Sequence, residues 1–207
     1  MALQVFLIKG SGRTTIGQKI SELYGLVYVS TSKLLQDEIE KKSAIGMVAS
    51  EVVKDGELIP DDQIMNIVEK RLNESDCLVN GWILDNFPRS EQQINLIRNL
   101  KMHPSLVIIL HLDLKICSER IEGRKIDPET GKIYNLRREK THDEEIEKRL
   151  ISIDKDKNEI IQKRLASWKQ IQNKIESIYK DKLVKIKNDR SLDTVIDEIC
   201  HIIEEAP

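Results

Sequence analysis

A glycine-rich segment near the start of the chain has residue types and spacing suited to binding a phosphate. Residues 9–15 are KGSGRTT, and they directly follow a short apolar run. Glycines where a strand meets a helix let backbone N–H groups converge on a phosphate, and the helix N-terminus adds a favourable dipole. The phosphate-binding pattern GxxxxGK[ST] is incomplete, because Leu7 stands at its first glycine and Arg13 at its lysine, although Thr14 keeps the hydroxyl. Taken alone, the segment predicts a phosphate site about as well as an ordinary glycine-rich turn.

Alternating strands and helices are expected to position this segment. Short continuous apolar runs are typical of strands buried on both faces, and they lie at residues 5–8, 27–29, 82–84, 106–110 and 184–186. An apolar spacing of about 3.6 residues predicts helices at 15–24, 90–100, 114–121, 158–179 and 192–204. Ser90 followed by Gln93 has the form of a capping box. The alternation predicts an α/β fold with a doubly wound, five-stranded parallel sheet.

The composition predicts an aliphatic core and excludes several classes of protein. Hydrophobic residues make up 40% of the 207 residues but aromatic residues only 4%. The net charge is −2 and the two signs are interspersed, so no basic surface for nucleic acid is expected. No run approaches the ~20 apolar residues of a membrane span, and no signal peptide is apparent. Three cysteines without a CxxC pair argue against a disulfide framework and a zinc ribbon, so we expect a globular protein of the cytoplasm.

Two regions interrupt the alternation and are interpreted as insertions into the sheet protein. Residues 31–73 contain helical patterns without a strand candidate. Residues 122–156 begin with a hairpin-like stretch and then become strongly charged. The core is then expected to consist of residues 1–30, 74–121 and 157–207.

Five sequence blocks, spread over essentially the whole chain, resemble successive signatures of the adenylate kinases. They are the glycine-rich segment, VSTSKLL at 29–35, GELIPD at 56–61, GWILDNFPR at 81–89 and GRKIDPETGKIY at 123–134. Their order and spacing fit this family. The IDPxTG form of the last block most resembles the domains of the tandem adenylate kinase of cilia and flagella.

The resemblance implies a P-loop core of three layers and a nucleoside monophosphate kinase that transfers the γ-phosphoryl group of ATP to AMP. It implies Mg²⁺ as the cofactor, bound with ATP. By the same resemblance, residues 31–73 are the nucleoside-monophosphate-binding domain and residues 122–156 are the lid that closes over ATP. Such parts suit the reaction, since phosphoryl transfer requires aligned phosphates, positive charge around the transferred group and exclusion of water.

The resemblance also assigns site residues one by one. Four arginines are implied to be catalytic. Arg13 belongs to the phosphate loop, Arg89 would grip the monophosphate, Arg124 would reach the ATP phosphates from the lid base, and Arg164 would bridge the substrates. The residues implied for ATP are Gly10, Ser11, Gly12, Arg13, Thr14, Thr15, Arg120, Arg124, Tyr134 and Arg190. The residues implied for AMP are Thr31, Gln36, Glu57, Leu58, Ile59, Asn86, Arg89, Gln93 and Arg164. Asp85 would organise the water shell of Mg²⁺, and Gln93 favours AMP because uridylate/cytidylate kinases usually carry Asn at its position.

Several of these positions depart from the family pattern, which predicts altered or reduced catalysis. Arg13 replaces the lysine of the phosphate loop, Gln36 replaces the arginine that grips AMP, and Asn86 replaces a glycine. The turn Thr-Gly-Asp of the family is Thr31-Ser32-Lys33 here. Losing one preorganised donor to a developing charge typically costs ~3 kcal/mol, or about 10²–10³ in rate.

The lid shows further departures. Asp127 replaces the usual histidine and Ile153 an arginine. If residues 149–153 are helical, Arg149 shares a face with Ile153 and could replace the missing charge. Arg137, Arg138 and Lys33 are further candidates for that replacement.

Two functions therefore stay open, an active adenylate kinase and a catalytically degenerate nucleotide-binding module with a structural role. A dinucleotide-binding oxidoreductase is disfavoured because the pattern GxGxxG is absent. The expected partners are ATP and AMP, without nucleic acid or membrane. The chain is expected to act in the cytoplasm or in a cilium or flagellum, as a monomer or as part of a tandem-domain or ciliary assembly.

Overall fold

The chain divides into two compact units that both contain helices and strands. The computed structural model describes residues 4–8, 12–54, 59–85, 87–97, 103–122, 124–130, 133–136, 143–152 and 171–205. One unit consists of Met1–His111 with Ile171–Pro207, and the other of Leu112–Gln170. The mixed α/β class expected from the sequence is confirmed. The functional division into a core, an insert at 31–73 and a lid at 122–156 stays a prediction.

The strands of the first unit form a parallel sheet. Its strands are β1 (Gln4–Ile8), β2 (Val27–Ser30), β3 (Trp82–Asp85), β4 (Leu106–His111) and β8 (Leu183–Lys187). The strands numbered between β4 and β8 belong to the second unit and are β5 (Arg124–Ile126), β6 (Ile133–Asn135) and β7 (Ile151–Ser152). The strand order of the parallel sheet is β2-β3-β1-β4-β8, with Val5 opposite both Ile83 and Leu106. β3 and all of β4 except His111 are buried on both faces of the sheet, which explains the continuous apolar runs at residues 82–84 and 106–110.

Helices and strands alternate along much of the chain, with a run of successive helices, α2 to α5, between β2 and β3. They are α1 (Arg13–Tyr24), α2 (Thr31–Glu40), α3 (Ala44–Lys54), α4 (Asp61–Leu72), α5 (Ser75–Asn80), α6 (Glu91–Ile97), α7 (Leu114–Glu122), α8 (Glu144–Arg149), α9 (described over 171–178) and α10 (Leu192–Glu205). Residues 31–73 contain α2, α3 and α4. None of the helices described here combines the length and the apolar character that a membrane crossing requires.

The core of the first unit is aliphatic, as the composition predicts. Ile16 and Ile20 of α1 and Ile199 of α10 belong to one buried cluster with Ile83 and Ile108 of the sheet. Burying each such side chain stabilises the fold by roughly 1.5–3 kcal/mol. The helices that carry the site are therefore anchored on the sheet by their apolar faces.

Two glycines are required by the local backbone. Gly12 precedes α1 with a φ of 96°, a left-handed conformation that side chains rarely adopt. In α3, a Cβ atom on Gly46 would stand 1.9 Å from the carbonyl oxygen of Glu38 in α2. The missing side chain at position 46 thus allows α3 to pack against α2.

The start of α6 contains half of the capping box predicted there. The backbone N–H of Gln93 donates to the Ser90 hydroxyl over 3.0 Å. The Gln93 side chain reaches one residue further back, because its Oε1 accepts from the backbone N–H of Arg89 over 2.7 Å. Gln93 therefore ties α6 to the loop that follows β3.

The second unit contains a small antiparallel sheet with the order β6-β5-β7. Lys125 of β5 faces Tyr134 of β6 on one side and Ser152 of β7 on the other. The pairing of β5 with β6 confirms the hairpin expected around Asp127 and Pro128. α7 precedes this sheet along the chain, and α8 precedes β7.

Candidate active site

The carboxyl ends of β1 and β3 meet where the connections of the parallel sheet diverge. β1 lies between β3 and β4, and Leu7 of β1 is paired with Asp85, the last residue of β3. In open α/β sheets, ligands bind outside the carboxyl ends of the strands at such a point. The candidate site is therefore located around Asp85 and the start of α1.

Asp85 is a buried carboxylate in contact with three side chains from two other parts of the chain, the start of α1 and β2. It is 2% exposed, and its Oδ1 lies 2.7 Å from Nε of Arg13, the first residue of α1. Both atoms are buried without an aligned hydrogen bond within the described part of the chain, so this contact is an ion pair. The hydroxyls of Tyr28 and Thr14 donate to Oδ2 over 2.6 Å and 3.3 Å. A cation, a carboxylate and two hydroxyls thus meet at the predicted phosphate site.

Tyr28 is a permanent hydrogen-bond donor in this cluster. Burial raises the pKa of its phenol, and the charge and hydrogen bond of Asp85 raise that pKa further. The phenol therefore stays protonated at neutral pH and holds Oδ2 of Asp85 in place.

The same cluster fits a Mg²⁺ ion bound mainly through water. Mg²⁺ keeps several waters and is usually held by one or two carboxylates together with substrate phosphates. Asp85 offers Oδ1, the buried oxygen that faces Arg13, next to the Thr14 hydroxyl on Oδ2. Within the described ranges, no three His, Cys, Asp or Glu side chains are grouped to hold a metal directly. These residues therefore offer one carboxylate as a metal ligand, which suits a site where Mg²⁺ is bound mainly through water.

Arg89, implied for AMP, lies in the loop after β3 and reaches the start of α2. The side chain of Arg89 is exposed, and its Nη2 donates to the Ser32 hydroxyl over 3.0 Å. Thr31, also implied for AMP, is the first residue of α2 and is 7% exposed. The contact with Ser32 depends on a side chain that the family pattern lacks, since glycine is usual there.

Gln36 is neutral where the family pattern has an arginine, and Lys33 on the same helix does not supply the missing charge because it is already paired. The exposed Gln36 amide donates to Oε1 of Glu40 over 2.9 Å. Lys33 Nζ lies 2.7 Å from Oδ1 of Asp37, and the hydrogen bond to Asp37 raises the pKa of Lys33. Each of these side chains is engaged with the next turn of its own helix, so Lys33 is a paired cation in this structure.

Gln93 is a buried amide that joins three segments of the first unit. It is 4% exposed, and its Nε2 donates to Oδ1 of Asp61 over 2.7 Å. Asp61 is the first residue of α4, and its Oδ2 accepts a short hydrogen bond from the Ser90 hydroxyl. Together with its bond to the Arg89 backbone, the amide links α6, α4 and the loop after β3.

Some of the other predicted site residues lie within the described part of the chain and others do not. Those outside the described residues are Gly10, Ser11, Glu57, Leu58, Asn86 and Arg164. Thr15 is exposed in the first turn of α1, and Ile59 is partly buried shortly before α4. Arg190 donates to the carbonyl of Lys187 over 3.2 Å and forms a close ion pair with Glu198. Their contacts with nucleotides stay predictions.

Arg120, Arg124 and Tyr134 lie in the second unit. Arg120 belongs to α7, Arg124 begins β5 and Tyr134 lies in β6. The side chain of Asn135 donates to the carbonyl of Arg120 over 2.7 Å, which fastens the hairpin to α7. The predicted convergence of these three side chains on ATP stays a prediction.

The second unit has its own buried carboxylate, Asp127. It is 0% exposed, and its two oxygens accept from Nε and Nη2 of Arg149 over 2.8 Å and 2.7 Å. The Thr130 hydroxyl and the backbone N–H of Glu129 donate to the same carboxylate. The hydrogen bonds from Arg149, more than those from Thr130 and Glu129, hold the pKa of Asp127 well below its usual range, although desolvation opposes this shift.

The proposed replacement of the missing lid charge by Arg149 is wrong in its geometry. The helix α8 ends at Arg149, Leu150 is extended, and β7 follows at Ile151–Ser152. The guanidinium is also committed to Asp127 and to Glu129, whose Oε2 lies 2.9 Å away. Arg149 therefore stabilises the turn after β5. Arg137, Arg138 and Ile153 lie outside the described residues.

We expect the turn after β5 to lose protection in acid. Because the folded pKa of Asp127 is depressed, its ion pair contributes fully above the unfolded pKa of ~3.9 and loses that contribution as the pH falls below this value. Amide exchange protection factors of β5 and β6 should therefore exceed those of Asp127→Asn at neutral pH, with a smaller difference near pH 3. A difference that is the same at both pH values would contradict this role.

The sequence assigned no role to Tyr28 or Asp61, and it singled out Asp127 and Arg149 without indicating that they pair with each other. Tyr28 belongs to a short apolar run, Asp61 to the first turn of a helix, and Asp127 and Arg149 to a charged insertion. Tyr28 lies two residues before Ser30, which pairs with Asp85 across the sheet. Strand alternation combined with that register is the signal that would have directed Tyr28 to this site.

Comparisons with known proteins agree with this architecture. A family model described as adenylate kinase matches residues 7–184. The chain is 38% identical to a probable adenylate kinase 2, chloroplastic, of Oryza sativa subsp. japonica, over 91% of this chain and 65% of the rice protein. It is 35% identical to a chloroplastic adenylate kinase of Zea mays, over 93% of this chain and 87% of that protein. It is 32% identical to an adenylate kinase of Oceanobacillus iheyensis, over 99% of this chain and 100% of that protein.

These relatives are chloroplastic and bacterial, and the link to the tandem kinase of cilia and flagella stays a prediction. The family match covers most of the chain and includes the strand that ends at Asp85 and the helix that begins at Arg13. This chain belongs to the adenylate kinase family of phosphotransferase enzymes.

Proposed function

We propose that this chain is a nucleoside monophosphate kinase that converts ATP and AMP into two molecules of ADP, at a reduced rate. The observation that carries this proposal is the cluster of Arg13, Thr14 and Asp85 at the carboxyl ends of β1 and β3. A cation and a carboxylate at this place suit a triphosphate and its Mg²⁺, since phosphoryl transfer requires charge stabilisation and little covalent chemistry. The relatives named as adenylate kinases support the same reaction.

The ATP phosphates would lie against the start of α1. Backbone N–H groups of residues 10–15 would bind them, and Arg13 would add a permanent positive charge. Mg²⁺, when bound with ATP, would neutralise part of the phosphate charge, and Asp85 would hold its water shell. Arg120, Arg124, Tyr134 and Arg190 would complete the ATP site by the family resemblance.

AMP would bind between the loop after β3 and the helices of residues 31–73. Arg89 would hold its phosphate and Gln93 would bind the base edge, with Thr31, Gln36, Glu57, Leu58, Ile59, Asn86 and Arg164 around them. The contact of Arg89 with Ser32 supports this arrangement, because it brings the guanidinium to the start of α2. The buried amide of Gln93 supports base recognition, since a mismatched base would leave the second N–H and the second lone pair of this amide without a partner.

The wider architecture proposed here is a three-layer P-loop core with a doubly wound sheet and two inserts. Residues 31–73 would close over AMP and residues 122–156 over ATP, which excludes water from the reaction. A location in the cytoplasm or in a cilium is expected from the sequence, and imaging of a fluorescent fusion in the source organism tests it.

Two contacts support a reduced rate. Arg13 is already paired with Asp85, so the cation proposed for ATP and the carboxylate proposed for Mg²⁺ neutralise each other before nucleotides bind. Gln36 offers a neutral amide bonded to Glu40 where the family pattern has an arginine. These two contacts equally support the second candidate, a degenerate module that binds nucleotides without turnover.

We expect Arg13→Lys to raise kcat for ADP formation by roughly tenfold, which corresponds to about 1.4 kcal/mol of barrier. An ammonium is compact, and it matches the lysine of the family pattern better than a planar guanidinium does. A coupled assay of ADP formation from ATP and AMP measures this, with Lys19→Arg on the exposed face of α1 as the matched control.

Three outcomes separate the candidates. Wild-type kcat in the usual range of about 1–10³ s⁻¹, unimproved by Arg13→Lys, would refute the reduced rate but keep the kinase. Tight binding of a bisubstrate diadenosine analogue without turnover would establish the degenerate module. The absence of both binding and turnover would overturn both.

A further inference from the structure

A buried polar cluster joins the start of α4 to the start of α6. Gln93 donates from Nε2 to Oδ1 of Asp61 over 2.7 Å, and the Ser90 hydroxyl donates to Oδ2 of the same carboxylate. On its other side, the Gln93 Oε1 accepts from the backbone N–H of Arg89 over 2.7 Å. The cluster therefore holds both ends of one amide, which is 4% exposed.

The two partners of the Gln93 amide demand the same orientation independently. An ionised carboxylate only accepts hydrogen bonds, so Asp61 requires the NH₂ group of Gln93 to face it. A backbone N–H only donates, so Arg89 requires the amide oxygen on its side. Turning the amide by 180° would place two donors together at Arg89 and two acceptors together at Asp61, which leaves buried polar groups unsatisfied.

Asp61 and Arg89 use only one donor and one acceptor of this oriented amide. The NH₂ group has a second N–H, and the amide oxygen has a second lone pair. The edge of adenine presents a ring nitrogen that accepts and an exocyclic amino group that donates. Hypoxanthine, which differs from adenine at this edge, presents the reverse, a ring N–H and a carbonyl oxygen. A fixed amide can match one order of groups at a time, whereas an amide free to turn can match both.

We propose that Asp61 is a positioning residue that strengthens the base preference of the monophosphate site, because it adds a second hydrogen bond that fixes the orientation of the Gln93 amide. This inference rests on the proposed function, in which Gln93 binds the base edge of AMP. Ser90 supports the same orientation, because its hydroxyl occupies Oδ2 of Asp61 and leaves Oδ1 for Gln93.

Binding of AMP and of inosine monophosphate by calorimetry tests the proposal. We expect Asp61→Ala to reduce the ratio of AMP affinity to inosine monophosphate affinity by about tenfold or more, since one buried hydrogen bond then no longer selects the orientation. The affinity for ATP should stay unchanged. Asp62→Ala is the matched control, because Asp62 is an exposed aspartate in the same first turn of α4.

A second measurement uses the protein without nucleotide. In protein labelled with ¹⁵N at glutamine side chains, the Gln93 NH₂ signal, assigned through Gln93→Ala, should exchange its protons about tenfold faster in Asp61→Ala than in the wild type. Asp61→Asn keeps an acceptor oxygen at the same reach and should stay closer to the wild type. If Asp61→Ala does not fold, Asp61→Ser replaces it, because its oxygen is too close to the backbone to reach Gln93.

The outcomes separate this inference from the proposed function. Unchanged Gln93 exchange in Asp61→Ala, or an unchanged affinity ratio in Asp61→Ala when the wild type binds AMP, would overturn the role of Asp61. Faster exchange in a protein that binds neither AMP nor ATP would instead overturn the proposed function and keep the positioning of the amide.

Discussion

Replacing Asp85 by asparagine is expected to lower kcat for ADP formation from ATP and AMP by about 10²–10³-fold, the usual effect of removing one preorganised charged group. Asp85 is 2% exposed and its Oδ1 faces Arg13, so the variant removes the negative charge proposed to hold the water shell of Mg²⁺ and leaves Arg13 without its partner. A coupled assay at several Mg²⁺ concentrations measures both kcat and the Mg²⁺ dependence.

Two companion variants sharpen this experiment. Tyr28→Phe removes one donated hydrogen bond while keeping the ring and the carboxylate, and it should lower kcat less than Asp85→Asn does. Asp197→Asn changes an exposed aspartate on α10 and should leave kcat unchanged. If Asp85→Asn folds with a wild-type melting temperature and retains wild-type kcat, Asp85 has no part in the reaction.

Arg89→Ala is expected to lower kcat/KM for AMP by about 10³-fold, because arginines that stabilise a transferred phosphoryl group are typically worth about 10³ or more. Arg89 belongs to the loop after β3 and is exposed. Its guanidinium contacts Ser32 at the start of α2, the proposed location of the AMP phosphate. The KM for ATP should change little. Initial rates with each nucleotide varied in turn separate the two effects.

Lys70→Ala is the control for this variant, since Lys70 is an exposed cation on α4 of the same unit. It should leave both nucleotide constants unchanged. A loss in Arg89→Ala that is equal for AMP and ATP would indicate a general structural defect, and no loss at all would remove Arg89 from the AMP site.

Local patterns predicted the elements of the sheet well, because the burial of short strands on both faces leaves a continuous apolar run. Trp82–Asp85 and Leu106–His111 lie at two such runs, and both are almost entirely buried. The start of α1 was predicted from glycines, and the left-handed backbone at Gly12 explains why glycine is needed there. These features depend on neighbours in the chain, which a sequence displays directly.

Side-chain pairs between elements could not be predicted in this way. Asp61 and Gln93 are 32 residues apart, and the Arg149 and Asp127 pair spans 22 residues. Which helices or turns pack together follows from the whole fold, and spacing along the chain does not contain it. The condition that residues 149–153 are helical fails for a related reason, because the pairing of β5 with β7 ends α8 at Arg149 despite its helical charge pattern.

The double attachment of Gln93 also bears on how base preference can evolve in this chain. The Gln93 side chain, which is proposed to select the base, also accepts a hydrogen bond from the backbone N–H of Arg89. Arg89 is the residue proposed to hold the AMP phosphate. A mutation at position 93 would therefore alter the choice of base and the placement of the phosphate-binding loop in a single step. A change in preference would require a compensating mutation in that loop or in the first turn of α4, and the two positions should be inherited as a pair.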